Sequence, residues 1–453
     1  MLPLANISGR AEDEYFADGI TEELIQALSK IAGLRVVGRA SVMRYKRSDT
    51  SPATIARELD ATAVVEGGIR KSGSQVRVTA RLLDASSAET LWSQAFDREG
   101  RDLFALPSEV SERIASALEV KILGPEQRAL QRPITENTAA HSAYLKGRYF
   151  LNQRTEVALR QALENFALAL KADSRFSRAL AGTSDTYSTL AWLEFVRPRD
   201  AFPRARTAAL RAIALDPTLA EAHASLGFVR FLYDRAWVEA ESEFRQSIAL
   251  NENYAPAHQF YSDLLKAMGR LDEALAEIER ALELDPLSLS INTALGHVLY
   301  LSRQYDRAIV QYRKALGLDP NFAQAHLWFG RPFLEKAMYD EAIAEVQTAV
   351  RLSKESTMSL AVLGHAYASA GRAREARRLL ATLRRRTRSQ YVPSYWIALV
   401  HVGLGDRDRA FEWLERANRE RSAWLAWIKV EPRFDSLRSD PRFPLLLRRL
   451  KLA

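Results

Sequence analysis

Leu271-Asp272-Glu273-Ala274-Leu275-Ala276-Glu277-Ile278-Glu279-Arg280-Ala281-Leu282-Glu283-Leu284-Asp285-Pro286 is echoed 34 residues later by Tyr305-Asp306-Arg307-Ala308-Ile309-Val310-Gln311-Tyr312-Arg313-Lys314-Ala315-Leu316-Gly317-Leu318-Asp319-Pro320. At that step Ala274 recurs as Ala308, Ala342, Ala376 and Ala410. Four positions on, Ile278, Tyr312, Val346, Leu380 and Leu414 are all large and apolar, and three further come Ala281, Ala315, Ala349, Leu383 and Ala417. Upstream, the small residues Ser262, Gly296, Gly330, Gly364 and Ala398 each follow a bulky one. A fixed period of this length marks a repeat architecture, and the spacing within it is that of two packed helices. The small residue lets the second helix approach closely, the alanine faces it, and the large residues fill the seam. Asp216-Pro217, Asp285-Pro286 and Asp319-Pro320 close units, because proline cannot continue a helix and drives its predecessor out of the α region. Gly269 and Gly371 fall at turns between helices.

This pattern resembles the tetratricopeptide repeat. The register continues upstream with small insertions: Gly227, Phe244 and Ile248 mark a unit with one extra residue, and Tyr187, Ala205, Ala212 and Pro217 one with a longer loop near Pro198. Gly147, Phe150, Ala162, Phe166 and Ala169 mark the first. The expectation is about eight repeats over residues 140–420. Residues 421–453, bearing Trp424, Trp427, Pro432, Pro441 and Pro444, leave the period and are expected to cap the solenoid end.

Before residue 123 the signal changes. Thr21-Glu22-Glu23 reads as a helix start with Gly33 past its end, Leu34–Val37 as a short strand, and Ser51-Pro52 as the cap of a second helix. Strands are predicted over 63–70, 75–83 and 90–96, with a turn at Ser72-Gly73-Ser74, and a closing helix over 107–123. The runs Leu2–Gly9, Glu14–Leu24, Val65–Arg70 and Leu91–Asp97 resemble the TolB-like (FlgO-like) domain. Followed by repeats, this is similar to the C-terminal half of bacterial class III adenylate cyclase-like proteins and CadC-like winged-helix regulators. That family's pattern runs an apolar strand into Leu-Pro; here too few residues precede Leu2-Pro3, so the first strand is expected to be truncated and the sheet edge exposed. The reading is therefore a small α/β domain (1–122), a linker (123–139), and an all-α right-handed tetratricopeptide solenoid.

The 453 residues carry a net charge of +8 and no cysteine. Absence of Cys excludes disulfides, thiolate metal sites and a Cys nucleophile. No apolar run is long enough to span a bilayer, and no signal peptide opens the chain; as written it is expected to be cytoplasmic, or periplasmic if a membrane helix precedes it. Residues 1–122 hold 16 Lys/Arg against 18 Asp/Glu, so the positive excess lies beyond them. Much of it sits in one stretch: Arg372, Arg374, Arg377, Arg378, Arg384, Arg385, Arg386 and Arg388 face only Glu375. Such a patch suits an acidic partner or nucleic acid, but without interleaved aromatics for base stacking nucleic acid is disfavoured.

No phosphate loop, dinucleotide fingerprint, zincin or nucleophile-elbow motif occurs, so no catalytic, cofactor or metal residues are assigned. His223, His258 and His326 share one repeat position and are expected to pack in seams. By analogy with the repeat family, the concave face carries Gln259, Asp263, Lys266, Thr293, His297, Tyr300, Gln324, Arg331, Glu335 and His365, a set suited to holding an extended peptide. The Lys/Asn carboxylate clamp of chaperone-binding relatives is absent at Gln259/Asp263, Thr293/His297 and Ala361/His365. Two functions compete: a non-enzymatic scaffold or sensory module of a signalling protein that grips a protein or peptide in its groove, and a component or remnant of an adenylate cyclase-like or winged-helix transcriptional regulator touching DNA through its arginines.

Overall fold

Residues 1–73, 75–131 and 134–453 are described by a computed structural model; Ser74, in the first predicted turn, lies outside the described residues. The N-terminal part is a four-stranded sheet in the order β1 (Ala5–Asn6), β2 (Ala63–Ser72), β3 (Gln75–Asp84), β4 (Thr90–Glu99), with β1 parallel to β2 and the others antiparallel. Val76, Val78, Ala80 and Leu82 point inward from β3 while the residues between them face out, the alternation of a sheet with one buried face. The first strand is short, yet the edge of β2 is not bare: Leu2 N donates to Val65 O at 2.7 Å and Ile7 N to Ile69 O at 2.8 Å. Gly67 is needed within β2, since a Cβ there would lie 1.9 Å from Thr79 O on β3.

The helices of this part are α1 (Glu14–Leu28), α2 (Arg39–Val42), α3 (Pro52–Glu58), α4 (Leu106–Ala117) and α5 (Gly124–Gln131). Two expectations fail here. Thr21 starts no helix: α1 begins at Glu14, and the Thr21 hydroxyl donates to Ala17 O while accepting from Leu4 N at 3.0 Å, pinning the N-terminal run to α1. Leu34–Val37 forms no strand; the solenoid instead holds the chain at the start of this stretch and just past its end. Leu34 O accepts from Asn253 Nδ2 at 3.0 Å, and Gly38 N donates to Leu284 O at 2.7 Å. The stretch expected as a linker carries α5, and the closing helix stops at Ala117.

Eight helix pairs follow among the described residues: α6/α7 (Thr138–Leu151, Glu156–Ala172), α8/α9 (Ser177–Trp192, Pro198–Leu215), α10/α11 (Ala220–Val229, Trp237–Leu250), α12/α13 (Ala255–Met268, Leu271–Leu284), α14/α15 (Leu289–Leu301, Tyr305–Leu318), α16/α17 (Ala323–Glu335, Tyr339–Leu352), α18/α19 (Thr357–Ser369, Ala373–Arg386) and α20/α21 (Ser394–Gly403, Arg407–Arg419). The five register alanines are fully buried. A Cβ on Gly296 would sit 2.6 Å from the Tyr312 ring, one on Gly227 2.7 Å from the Phe244 ring, and one on Gly330 2.5 Å from Val346 Cγ2. The small residue is thus paired with the large residue of the second helix. Where Ser262 replaces glycine, its hydroxyl uses the same proximity to donate to Ala274 O at 2.7 Å. The extra residue in the α10 unit appears as a π-helical turn over Arg230–Asp234, the usual form of a one-residue insertion in a helix.

The two parts share one core. Leu4, Leu24, Val78 and Leu106 cluster with Tyr144, Phe166 and Leu190 of the first repeats. Glu22 is bonded by Arg148 and, at 3.1 Å, by Asn152 Nδ2, while Glu23 meets His141 Nε2 at 2.8 Å. Further along, Asp285 caps α2, accepting from Ser41 N at 2.7 Å and Ala40 N at 3.2 Å. The turn after α11 does likewise: Asn251 and Asn253 bond Ser29. A row of inter-repeat turns therefore forms the dock for residues 29–44.

Candidate functional site

The first helices of the repeats line the inside of the superhelix, and that inside is filled. After α21 the chain turns inward through a 3₁₀ turn (Ala423–Trp427) and a second (Pro432–Leu437) before α22 (Arg442–Arg449) lies back on the last repeat. Trp424 stacks on Trp192 with centroids 4.7 Å apart and meets Trp396 at 5.0 Å. Trp427 lies 5.5 Å from Phe231 and donates its indole N–H to Asp263 O at 2.9 Å. Leu425, Ile428 and Phe434 are completely buried. Glu194, in the loop before α9, accepts the indole N–H groups of both Trp396 and Trp424, the latter at 2.9 Å, so one carboxylate ties repeat two to the last repeat and to the inserted segment. Burial, opposed by these two donors, raises its pKa to about 7.

Deeper along the channel the contacts become ionic. Glu431 accepts from Arg433 Nε at 2.8 Å and Nη2 at 2.9 Å, and from the Tyr300 hydroxyl at 2.7 Å, with Arg331 Nη1 3.6 Å away. Burial works against charge on Glu431, but the Arg433 and Arg331 guanidiniums outweigh it and hold its pKa near 2. Arg331 also lies over the Trp328 ring at 4.5 Å, a cation–π contact.

The candidate peptide-binding residues are therefore brought together on the concave side, but they are not open to an incoming chain. Lys266, Thr293, His297, Tyr300, Arg331 and His365 are buried, whereas Gln259, Asp263, Gln324 and Glu335 remain half-buried. The concave residues expected to hold an extended peptide lie against the chain's own C-terminal segment: the segment expected only to cap the last repeat also fills the channel. Its capping contacts exist as well, through Arg442 to Asp408 at 2.9 Å and Arg449 to Glu415 at 2.6 Å. Burial, then the charges of Lys266, Arg331 and Arg433, push the pKa of His297 far below the usual imidazole value, and His365 falls to about 3 by burial and Arg433. Glu335, by burial and the neighbouring Glu431, rises to about 7.

His223, His258 and His326 do more than pack. Each sets Nδ1 against a glutamate of its partner helix (Glu243, Glu277, Glu345, at 2.6–2.7 Å) and Nε2 against a carbonyl of the preceding turn (Pro217, Glu252, Pro320, at 2.9–3.0 Å). They are braces between helices.

Of the basic patch, Arg374, Arg377, Arg378, Arg384, Arg385 and Arg388 are exposed on or just past α19; Arg372 pairs with Glu375 at 3.0 Å and Arg386 with Glu355 at 2.9 Å.

Sequence comparison agrees with this geometry. The TPR repeat family matches residues 296–336 and the tetratricopeptide repeat family residues 255–286. A Rhizobium meliloti (strain 1021) protein named "Putative adenylate cyclase 3" is 32% identical over 184 residues, 41% of this chain and 31% of that protein. The transcriptional regulator HilA of Salmonella typhimurium is 27% identical over 143 residues, 32% of this chain and 26% of that protein. The chain thus spans about a third or less of the curated relatives it matches. Among solved structures, yeast Tom70 is 17% identical with a TM-score of 0.45, over 70% of this chain and 68% of that one.

Proposed function

We propose that this chain is a non-enzymatic protein-interaction module of a bacterial signalling protein, with a TolB-like domain at residues 1–122 and a right-handed solenoid whose groove binds its own C-terminal segment. Tetratricopeptide repeats mediate protein–protein contact, and likeness to proteins named as a cyclase and a regulator supports a place in signalling. The observation that carries the reading is the seating of Trp424 to Arg433 in the channel. It has the form of a bound peptide: aromatic anchors in pockets, and an acidic residue clasped by Tyr and Arg. Because Ala423 follows α21 by three residues, the segment acts at an effective concentration of about 1 mM or more. A free peptide of equal intrinsic affinity, present at about 1 μM, would occupy the groove in about one molecule per thousand. An outside partner accordingly meets the outer helices and the N-terminal domain.

The test places a photo-crosslinking residue at Val238 or Val310, exposed on α11 and α15, or at Gln259 on the inner rim, in the source organism. Adducts at the outer positions are expected; adducts from Gln259 alone would overturn the reading. The exposed arginines of α19 favour a second reading, contact with nucleic acid, which a salt-dependent gel shift lost on replacing Arg384, Arg385 and Arg386 would support; no shift at low salt removes it.

A further inference from the structure

The superhelix curls until its second repeat faces its last, and the join carries an open cleft of about 500 Å³. It opens between the loop that starts α9, the turn joining α19 to α20, and the end of α21. Arg197 and Arg199 come from the first, Tyr391 from the second, and Arg416, Arg419 and Glu420 from the third. Glu420 is already committed: it accepts from Ser394 N at 3.1 Å, from the Ser394 hydroxyl at 2.8 Å and from Arg416 Nε at 3.1 Å. Among the described residues no carboxylate lies within ion-pair distance of Arg197, Arg199 or Arg419. Among the lining residues, four exposed guanidiniums stand against one carboxylate, a formal net charge of +3.

The Tyr391 hydroxyl is buried at the wall with no hydrogen-bond partner, although most such groups are satisfied in folded proteins. Its charged neighbours are Glu194, Glu420, Arg197 and Arg199. The volume lies in the range of small-molecule sites, and planar guanidinium forks match phosphate oxygens in pairs.

From this we infer that the join between repeat two and the last repeat is a binding site for a phosphate-bearing small molecule. The site exists only in the closed superhelix, so ligand and closure support one another. It is independent of what the outer surface binds.

The experiment is calorimetric titration of the full chain with pyrophosphate, ADP, adenosine and a phosphoserine peptide, repeated on Arg197→Ser/Arg419→Ser and on Arg374→Ser/Arg377→Ser. The second pair removes the same charge from α19 away from the cleft. Pyrophosphate and ADP should bind and adenosine should not, with affinity falling at least tenfold in the cleft pair and less than twofold in the α19 pair. Arg197→Lys/Arg419→Lys keeps the charge without the fork and should fall between. Equal losses in the two serine pairs would mean unspecific attraction and overturn the site. So would absence of binding by pyrophosphate and ADP at 1 mM, or binding of a phosphoserine peptide in their place.

Discussion

Replacing Trp424 with alanine tests whether the inserted segment is core or a loose strap. Its indole is ringed by Trp192, Trp396, Trp427 and Trp328, with centroids 4.7–6.2 Å away, and it supplies one of the two N–H donors to Glu194. Deleting a buried Trp side chain costs about 3–5 kcal/mol, more where the surroundings cannot collapse. Here the walls belong to separate repeats, each fixed by its own glycine–aromatic or alanine seam, so the hole stays open and the upper part of that range applies. Glu194 also keeps a single indole, which adds in the same direction. Urea unfolding followed by far-UV circular dichroism should therefore show Trp424→Ala destabilised by about 4–5 kcal/mol. Trp413→Ala is the internal reference: Trp413 is half-buried on the outer α21, with Arg416 at 5.0 Å from its ring, and should lose about 1 kcal/mol or less. If the two variants lose the same amount, the segment rests on the groove without being part of the core. A Trp424 variant with a smaller denaturant slope than wild type would show that the segment has already come away in its native state.

Glu194→Gln probes pH. Folded Glu194 keeps its proton to about pH 7 whereas the unfolded residue loses it near pH 4.5, so the folded chain holds the extra proton in between and stability falls as pH rises through that window. The variant should match wild type near pH 4.5 and exceed it at pH 8 by at most about 3 kcal/mol; a constant difference across pH would refute the assignment. Ala337 adopts φ +58° at the turn where Gly269, Gly371 and Gly405 stand in register. Ala337→Gly should raise stability by about 0.5–1 kcal/mol, relief of the left-handed penalty exceeding the added chain entropy, and a lowered melting temperature would contradict this. Gly296→Ala, whose methyl would meet the Tyr312 ring, should lose about 1–3 kcal/mol, while Gly317→Ala, with nothing within 4 Å, should gain slightly. Thermal unfolding of the pair in reverse order would place the helix seam elsewhere.

The repeat was legible because it records contacts between neighbours. Gly296 and Tyr312, sixteen residues apart, must fit one another whatever the rest of the chain does. The strands of the N-terminal sheet were legible for the same reason, as period two reports a single buried face. Thr21 misled because a threonine before two glutamates suits a cap and also suits a helix interior when its hydroxyl can bond Ala17 O. Leu34–Val37 misled because Asn253, which holds Leu34 O, and Leu284, which holds Gly38 N, lie more than 200 residues away.

The filled groove had one signal in the sequence. From Ile291 to Leu301, α14 is buried on every side, and Tyr395–Val402 likewise; an outer solenoid helix would have kept a polar face, and one apolar all round must be covered. The sequence by itself determined the helix pairs, their seams and the sheet, since these depend on residues close in the chain or one period apart. Only the tertiary structure decided that Trp424, Glu431 and Arg433 occupy the concave face and that Arg197 meets Arg419. Those meetings follow from the summed curvature of eight repeats. No single period encodes that sum, because each repeat touches only its neighbours until the superhelix closes on itself.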